Sequence, residues 1–152
     1  LVLGLSWIAV TGVGCRTFDP GEGPVNSIRL FTSPVLFNLD GEPGPDAFKA
    51  RVYAVRDSVP KPVPFTEGTL EIIIFDEASN RDQQDPPRQV WSFSGLVLDR
   101  HRIQTSIGYS YDFTLEIDKS KPLPGKVSVV AKFTQPDGVL IFAKPVSITV
   151  EP

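Results

Sequence analysis

The sequence predicts an all-β domain, an antiparallel sandwich of two sheets built from about seven short strands. Two observations carry that expectation. From Val25 onward the apolar residues recur with a period of two, the spacing that places successive side chains on opposite faces of a sheet. Between the periodic runs lie clusters rich in Gly and Pro, of which the 152-residue chain has 12 and 15, and such clusters turn a chain back on itself. Strands with one apolar face apiece must bury it against another layer, which in an all-β chain is a second sheet.

The first strand is expected over 27–31, with a continuation toward Phe37. The next covers 48–56, where Phe48, Ala50, Val52 and Ala54 share one face. Residues 69–76 follow, and their run Leu70-Glu71-Ile72-Ile73-Ile74-Phe75 is apolar on both faces over most of its length, as expected of a central strand covered in part on its second side. Residues 89–93 form a shorter strand carrying Trp91. The stretch 94–105 admits two readings, a short helix capped by Ser94 and ending between Asp99 and His101, or a strand that uses Val97 and Ile103. The clearest alternation is 109–117, with Tyr109, Tyr111, Phe113, Leu115 and Ile117 toward the core and Ser110, Asp112, Thr114 and Glu116 toward water. Residues 126–134 repeat it, and the turn chemistry of Pro136-Asp137-Gly138 returns the chain from Val139 as a hairpin partner. Pro145 has no N–H for a ladder and marks a bulge or an edge, beyond which Val146, Ile148 and Val150 resume the period. The expected core is Phe48, Val52, Leu70, Ile72, Ile74, Tyr111, Phe113, Leu115, Val127, Val129 and Phe133.

The segment Leu123-Pro124-Gly125-Lys126-Val127-Ser128-Val129 resembles the turn and strand near the end of bacterial immunoglobulin-like and fibronectin-like domains, with Val127 where their common Pro-Gly-x-Tyr-x-Val pattern has tyrosine. The resemblance implies the immunoglobulin-like form of the sandwich and concerns architecture alone.

Residues 1–14, LVLGLSWIAVTGVG, are uncharged and mostly apolar and stop at Cys15-Arg16. A membrane-spanning helix needs about 20 apolar residues, whereas the hydrophobic region of a signal peptide needs about 7 to 15. The run is therefore expected to be a signal peptide, and because no Met or basic residues open it, its start is expected to lie upstream. At its end Thr11-Gly12-Val13-Gly14-Cys15 resembles the lipobox of bacterial lipoproteins in the small residue before the cysteine; Gly12 and Val13 stand where that family usually has Leu, then Ala or Ser. The resemblance implies cleavage before Cys15, a diacylglycerol on its sulfur, and a chain anchored in the bacterial cell envelope, at the outer membrane or the periplasmic face. A lone cysteine in an exported chain fits such a use; the alternative is an ordinary signal peptide or a truncated membrane anchor in which Cys15 is only a small apolar residue. Residues 15–24 then read as lipidated cysteine and Gly/Pro-rich tether, and residues 25–152 as the sandwich domain.

Fifteen Lys and Arg against 18 Asp and Glu give a formal charge of −3, a balance that leaves no large basic surface for nucleic acid. One His and one Cys exclude multi-histidine and multi-cysteine zinc sites, an internal disulfide, and iron–sulfur ligation by this chain alone. No cofactor is expected. Asn38, Asp40 and Asp46 place oxygens around Gly41 and form a weak calcium candidate, but the terminal bidentate glutamate of an EF-hand is missing, so the segment reads as a turn and the fold as needing no metal. His101, flanked by Arg100 and Arg102, reads as a solvated loop histidine, and no Gly-x-Ser-x-Gly elbow accompanies it. Asp76 with Glu77 and Glu116 with Asp118 read as wet strand ends. Trp91, Phe93, Tyr109 and Tyr111 suit a sugar-stacking platform by type, yet their period of two argues for core.

One surface is harder to place. Ile73 and Phe75 lie opposite Ile72 and Ile74, and Tyr53 with Val55 opposite Val52 and Ala54, which is more apolar surface than an open face tolerates. Residues 89–103 are expected to fold over it, contributing Trp91, Phe93, Leu96 or Leu98; otherwise a partner covers it. Tyr53, Ile73, Phe75 and Trp91 are thus the candidate ligand or partner surface. The expected function is that of a non-enzymatic envelope lipoprotein whose sandwich binds another envelope protein or a glycan, or acts structurally. The alternatives are a carbohydrate-binding module, marked by exposed aromatics in a planar row, and a carboxylate-based hydrolase, which needs a cleft with carboxyl groups about 5 to 9.5 Å apart.

Overall fold

The computed structural model describes residues 23–77 and 86–151. The expected signal peptide, Cys15 and the tether up to Glu22 lie outside the described residues, as do residues 78–85. The described chain runs through β1 (Ser27–Thr32), β2 (Ala47–Val55), β3 (Thr69–Asp76), β4 (Gln89–Ser94), α1 (Gly95–Asp99), β5 (Arg102–Thr105), β6 (Gly108–Glu116), β7 (Lys126–Thr134), β8 (Leu140–Phe142) and β9 (Val146–Thr149). The first sheet has the order β1-β2-β6-β5; the second has the order β4-β3-β7-β8, with β9 also on β7. Every pair of strands is antiparallel. This is the immunoglobulin-like order, A-B-E-D facing C-F-G, with β4 added beside the central β3.

The strand number exceeds the expected count for two local reasons. The ambiguous stretch 94–105 is helix and then strand in succession: α1 carries the chain from the edge of the second sheet to the edge of the first, where β5 begins. Ser94 precedes the helix in extended conformation and makes no side-chain cap. Pro145 divides the last strand, so β8 pairs with the end of β7 at Lys132–Thr134 and β9 with its start at Lys126–Val129.

Register sets the expected core residues side by side on one face of each sheet. Phe48 pairs with Leu115, Ala50 with Phe113 and Val52 with Tyr111 in the first sheet; Leu70 pairs with Phe133, Ile72 with Ala131 and Ile74 with Val129 in the second. All of the expected core residues are buried, each large one stabilising the fold by about 1.5–3 kcal/mol through apolar burial. The long connection after β2 adds Phe65, whose ring lies 4.9 Å from Tyr111 and 4.5 Å from Phe133. The Phe65 N–H donates to the Tyr111 hydroxyl at 3.0 Å, giving the buried phenol a partner. Burial pushes the Tyr111 phenol above its usual pKa, against the opposing effect of that N–H.

Three expectations are corrected. Residues 89–103 do not fold over the outer face of the second sheet. Instead β4 joins the sheet with Trp91 opposite Ile72 and Phe93 opposite Leu70, so both rings share the inward face of β3, and Trp91 meets Phe48 edge-on at 5.6 Å. Leu98 is buried, but Leu96 points to solvent. Ser110, expected wet, is buried, because β6 lies between β2 and β5 and its small side chain is flanked by Ile103 across the ladder. His101 is not a solvated loop residue: its ring stacks on Phe113 at 4.5 Å and meets Phe93 at 5.2 Å, and its Nδ1 lies 2.9 Å from the Asp112 carbonyl. The turn between α1 and β5 brings the imidazole over the open end of the aromatic core.

Candidate ligand-binding surface

Prolines at alternate positions, Pro60, Pro62 and Pro64, stiffen the connection between β2 and β3 by fixing φ and withholding N–H groups. Between them the backbone is tied down on both sides. The Val63 N–H donates to the Ala54 carbonyl of β2 at 2.9 Å, and the Tyr109 N–H of β6 donates to the Pro62 carbonyl at 3.1 Å. The second contact depends on Gly108, whose φ is +128° and where a Cβ would lie 2.6 Å from the Pro62 oxygen; a side chain there meets both strain and collision. Lys61 reaches across to donate to the Ser106 carbonyl at 3.3 Å.

The loop so held rims a recess of about 280 Å³ on the outer face of the first sheet. Its walls are Phe31 and Tyr53 from β1 and β2, Val55, Val59, Pro60 and Ile107, and Arg29 and Lys61 stand at its border. Phe31 is 55% and Ile107 58% exposed, and the Phe31 and Tyr53 rings meet edge to face at 5.8 Å and 89°. A second depression, of about 410 Å³, shares Phe31 and continues past Lys49, Arg51 and Asp112. A third, of about 340 Å³, lies on the far side of the proline loop and shares Val59, Pro60, Lys61 and Pro62 with the first. Within the second, Arg51 closes Asp112 in a bidentate pair, Nε to Oδ1 at 2.7 Å and Nη2 to Oδ2 at 2.5 Å. The Asp112 carboxylate holds the guanidinium even further above its ordinary pKa.

The structure separates the sequence-predicted surface residues. Tyr53 belongs to the recess. Ile73 and Phe75 lie on the outer face of the second sheet, where Ile73 pairs with Val90 on one side and Val130 on the other, beside an ion pair between Glu71 and Lys132. Trp91 is inside. Sequence reasoning missed Phe31, Ile107 and the two border cations; the signal available was the Val59-Pro60-Lys61-Pro62-Val63-Pro64 alternation, which favours a stiff extended backbone.

The other candidates serve as braces. Asp46 is buried and accepts the Leu39 N–H at 2.6 Å and the Asp40 N–H at 3.2 Å, while Asn38 accepts the Gly41 N–H at 2.7 Å. Lys119 Nζ lies 2.9 Å from Asp40 and 3.6 Å from Asp46. That ammonium holds the Asp40 carboxyl below its usual range, and Asp40 in turn raises Lys119. The oxygens that a calcium ion would need are thus engaged by backbone N–H groups and a lysine. Among the described residues no cluster of three or more His, Cys, Asp or Glu side chains is placed to hold a metal ion. Asp76 pairs with Arg88 at 2.6 Å, and Arg88 also donates to the carbonyls of Lys121 and Pro122 at 3.1 and 2.6 Å. Glu77 accepts from Ser147, and Asp118 accepts from the Ser120 N–H and hydroxyl, which lower its pKa.

Fold and surface together define an immunoglobulin-like two-sheet sandwich with a preformed apolar recess on one outer face. No family model matches the chain, and no curated protein sequence matches it.

Proposed function

We propose that this protein is a non-enzymatic binding module of the bacterial cell envelope, anchored by a lipid on Cys15 and engaging a partner protein through the outer face of its first sheet. The observation that carries the reading is the recess itself: apolar walls from separate elements stay open to solvent while a tied-down proline loop keeps their shape. Contiguous exposed apolar surface marks interaction sites, and a site already shaped costs little ordering on binding. The perpendicular Phe31 and Tyr53 rings favour a side-chain guest over the flat face of a sugar. Asp76, Glu77 and Asp118 are engaged by Arg88, Ser147 and Ser120, which favours binding over hydrolysis.

Arg56 Nη2 donates to the Gly23 carbonyl at 2.7 Å and its Nε to the Pro24 carbonyl at 3.3 Å, so the described chain starts beside the proline loop. Two measurements test the proposal in cells producing the chain with a complete export signal. Fatty-acid labelling is expected to disappear with Cys15→Ser, and label retained in that variant overturns the anchor. A photo-crosslinking residue at position 31 is expected to capture a discrete envelope protein while the same residue at position 142 does not; the reverse result moves the working surface to the other sheet.

A further inference from the structure

We infer that the outer face of the first sheet takes an acidic, extended peptide segment, with one aromatic or branched aliphatic side chain in the recess and carboxylates beside it at Arg29 and Lys61. This rests on the binding-module reading above and names the chemistry of its ligand.

Charge is the first argument. The chain carries a formal −3, yet the adjoining depressions are bordered by the cations Arg29, Lys49, Arg51 and Lys61 and by a single carboxylate, Asp112, among their lining residues. Arg51 donates to both oxygens of that carboxylate, so the two neutralise each other and leave Arg29, Lys49 and Lys61. Among the described residues the lining of these depressions is therefore positive against the sign of the whole chain, which selects an anionic partner by complementarity and speeds its approach.

Shape is the second. The depressions follow one another, the first sharing Phe31 with the second and the proline loop with the third. An extended peptide sends alternate side chains to the same side about 6.6 Å apart, which suits a line of shallow recesses better than one deep pocket. At about 280 Å³ and open to solvent between the two other depressions, the apolar recess has room for one large side chain.

The test uses the full chain and four defined probes: a fluorescent peptide with Phe flanked on both sides by Asp and Glu, its counterpart with Lys in place of every acid, its counterpart with Gln and Asn, and vesicles of phosphatidylglycerol set against phosphatidylcholine. The acidic peptide is expected to bind saturably and to weaken as salt rises. Arg29→Glu with Lys61→Glu should lower its affinity about tenfold or more. The milder Arg29→Ala with Lys61→Ala pair, with melting measured alongside, guards against misfolding. Phe31→Ser should weaken it too, and Phe142→Ser should not. Equal binding of the Lys or the Gln/Asn peptide overturns the acidic class but leaves a peptide-binding face standing. Binding confined to phosphatidylglycerol vesicles overturns the peptide in favour of a lipid surface. If no probe binds, the inference fails, and the broader reading is then decided by crosslinking from position 31.

Discussion

Both outer faces of the sandwich are partly apolar, but they become so in different ways. On the second sheet, Val90, Ile73 and Val130 form one row across three strands, held beside the Glu71–Lys132 ion pair. Branched residues in a row are what ladder pairing itself favours. On the first sheet the apolar groups come from two strands, a proline loop and a turn, and they enclose volume. Strand pairing alone does not produce that; it needs a loop braced from both sides. Apolar content alone therefore does not tell the two faces apart; side chains from several elements held around a space do.

Substitutions act on the two faces at several depths. The deepest cut removes the interior that both faces share: Phe113→Ala should cost about 3–5 kcal/mol in denaturant unfolding, as Phe113 is 2% exposed, and a loss below about 1 kcal/mol would place β6 in the wrong register. Next, Gly108→Ala should cost about 1–3 kcal/mol through its backbone conformation, with a further cost from the contact on Pro62. Gly138→Ala, at φ +86° with nothing within 4 Å, should cost less. Backbone amide shifts from Gly108→Ala should concentrate around residues 59–64 and 107–109; shifts spread evenly over both faces would show that the loop is not separately braced.

Smaller effects discriminate more finely. Phe31 and Phe142 are 55% and 57% exposed, so their serine variants should each change stability by only about 0.5 kcal/mol. They should part company in partner crosslinking and peptide binding, where only Phe31→Ser loses signal; equal loss would make the two faces equivalent. The smallest effect lies in the loop at 38–46. The folded-state pKa of Asp40 is lowered from 3.8, so the contribution of its contacts is whole above that value and lost as pH falls through the lower folded one. That of Lys119 is raised from 10.5, so its contribution is whole below 10.5 and lost as pH rises through the higher folded value. An NMR titration of Asp40 should move back toward the ordinary carboxylate range in Lys119→Met, with no change in peptide binding at Phe31.

Most of the architecture was legible because burial writes a period of two into the sequence, and Tyr111, Phe113, Val127, Val129 and Phe133 all fall on the buried side. Pro145 was legible for a different reason, the missing N–H that splits β8 from β9. Periodicity does not fix phase between strands, however. In β4 nothing local says whether Trp91 and Phe93 or Val90 faces inward; pairing with Leu70 and Ile72 decides it. His101 was misread because its neighbours in sequence are arginines, while its neighbours in space are Phe93 and Phe113. The recess was half legible: Tyr53 stood out as surplus apolar surface, but Phe31 and Ile107 reach it from distant segments that only the folded chain joins.

The clamp on the first described residues also has a mechanical meaning. Arg56, just beyond β2 in the first sheet, holds the carbonyls of Gly23 and Pro24. Gln135, just beyond β7 in the second, donates to the Val25 carbonyl at 3.3 Å, and the Asn26 N–H donates to Val55 at 2.9 Å. A pull on the amino-terminal chain is therefore divided between both sheets before any strand has to move. The next contact such a pull would meet is the Ser27–Val55 pair, where the β1–β2 ladder begins.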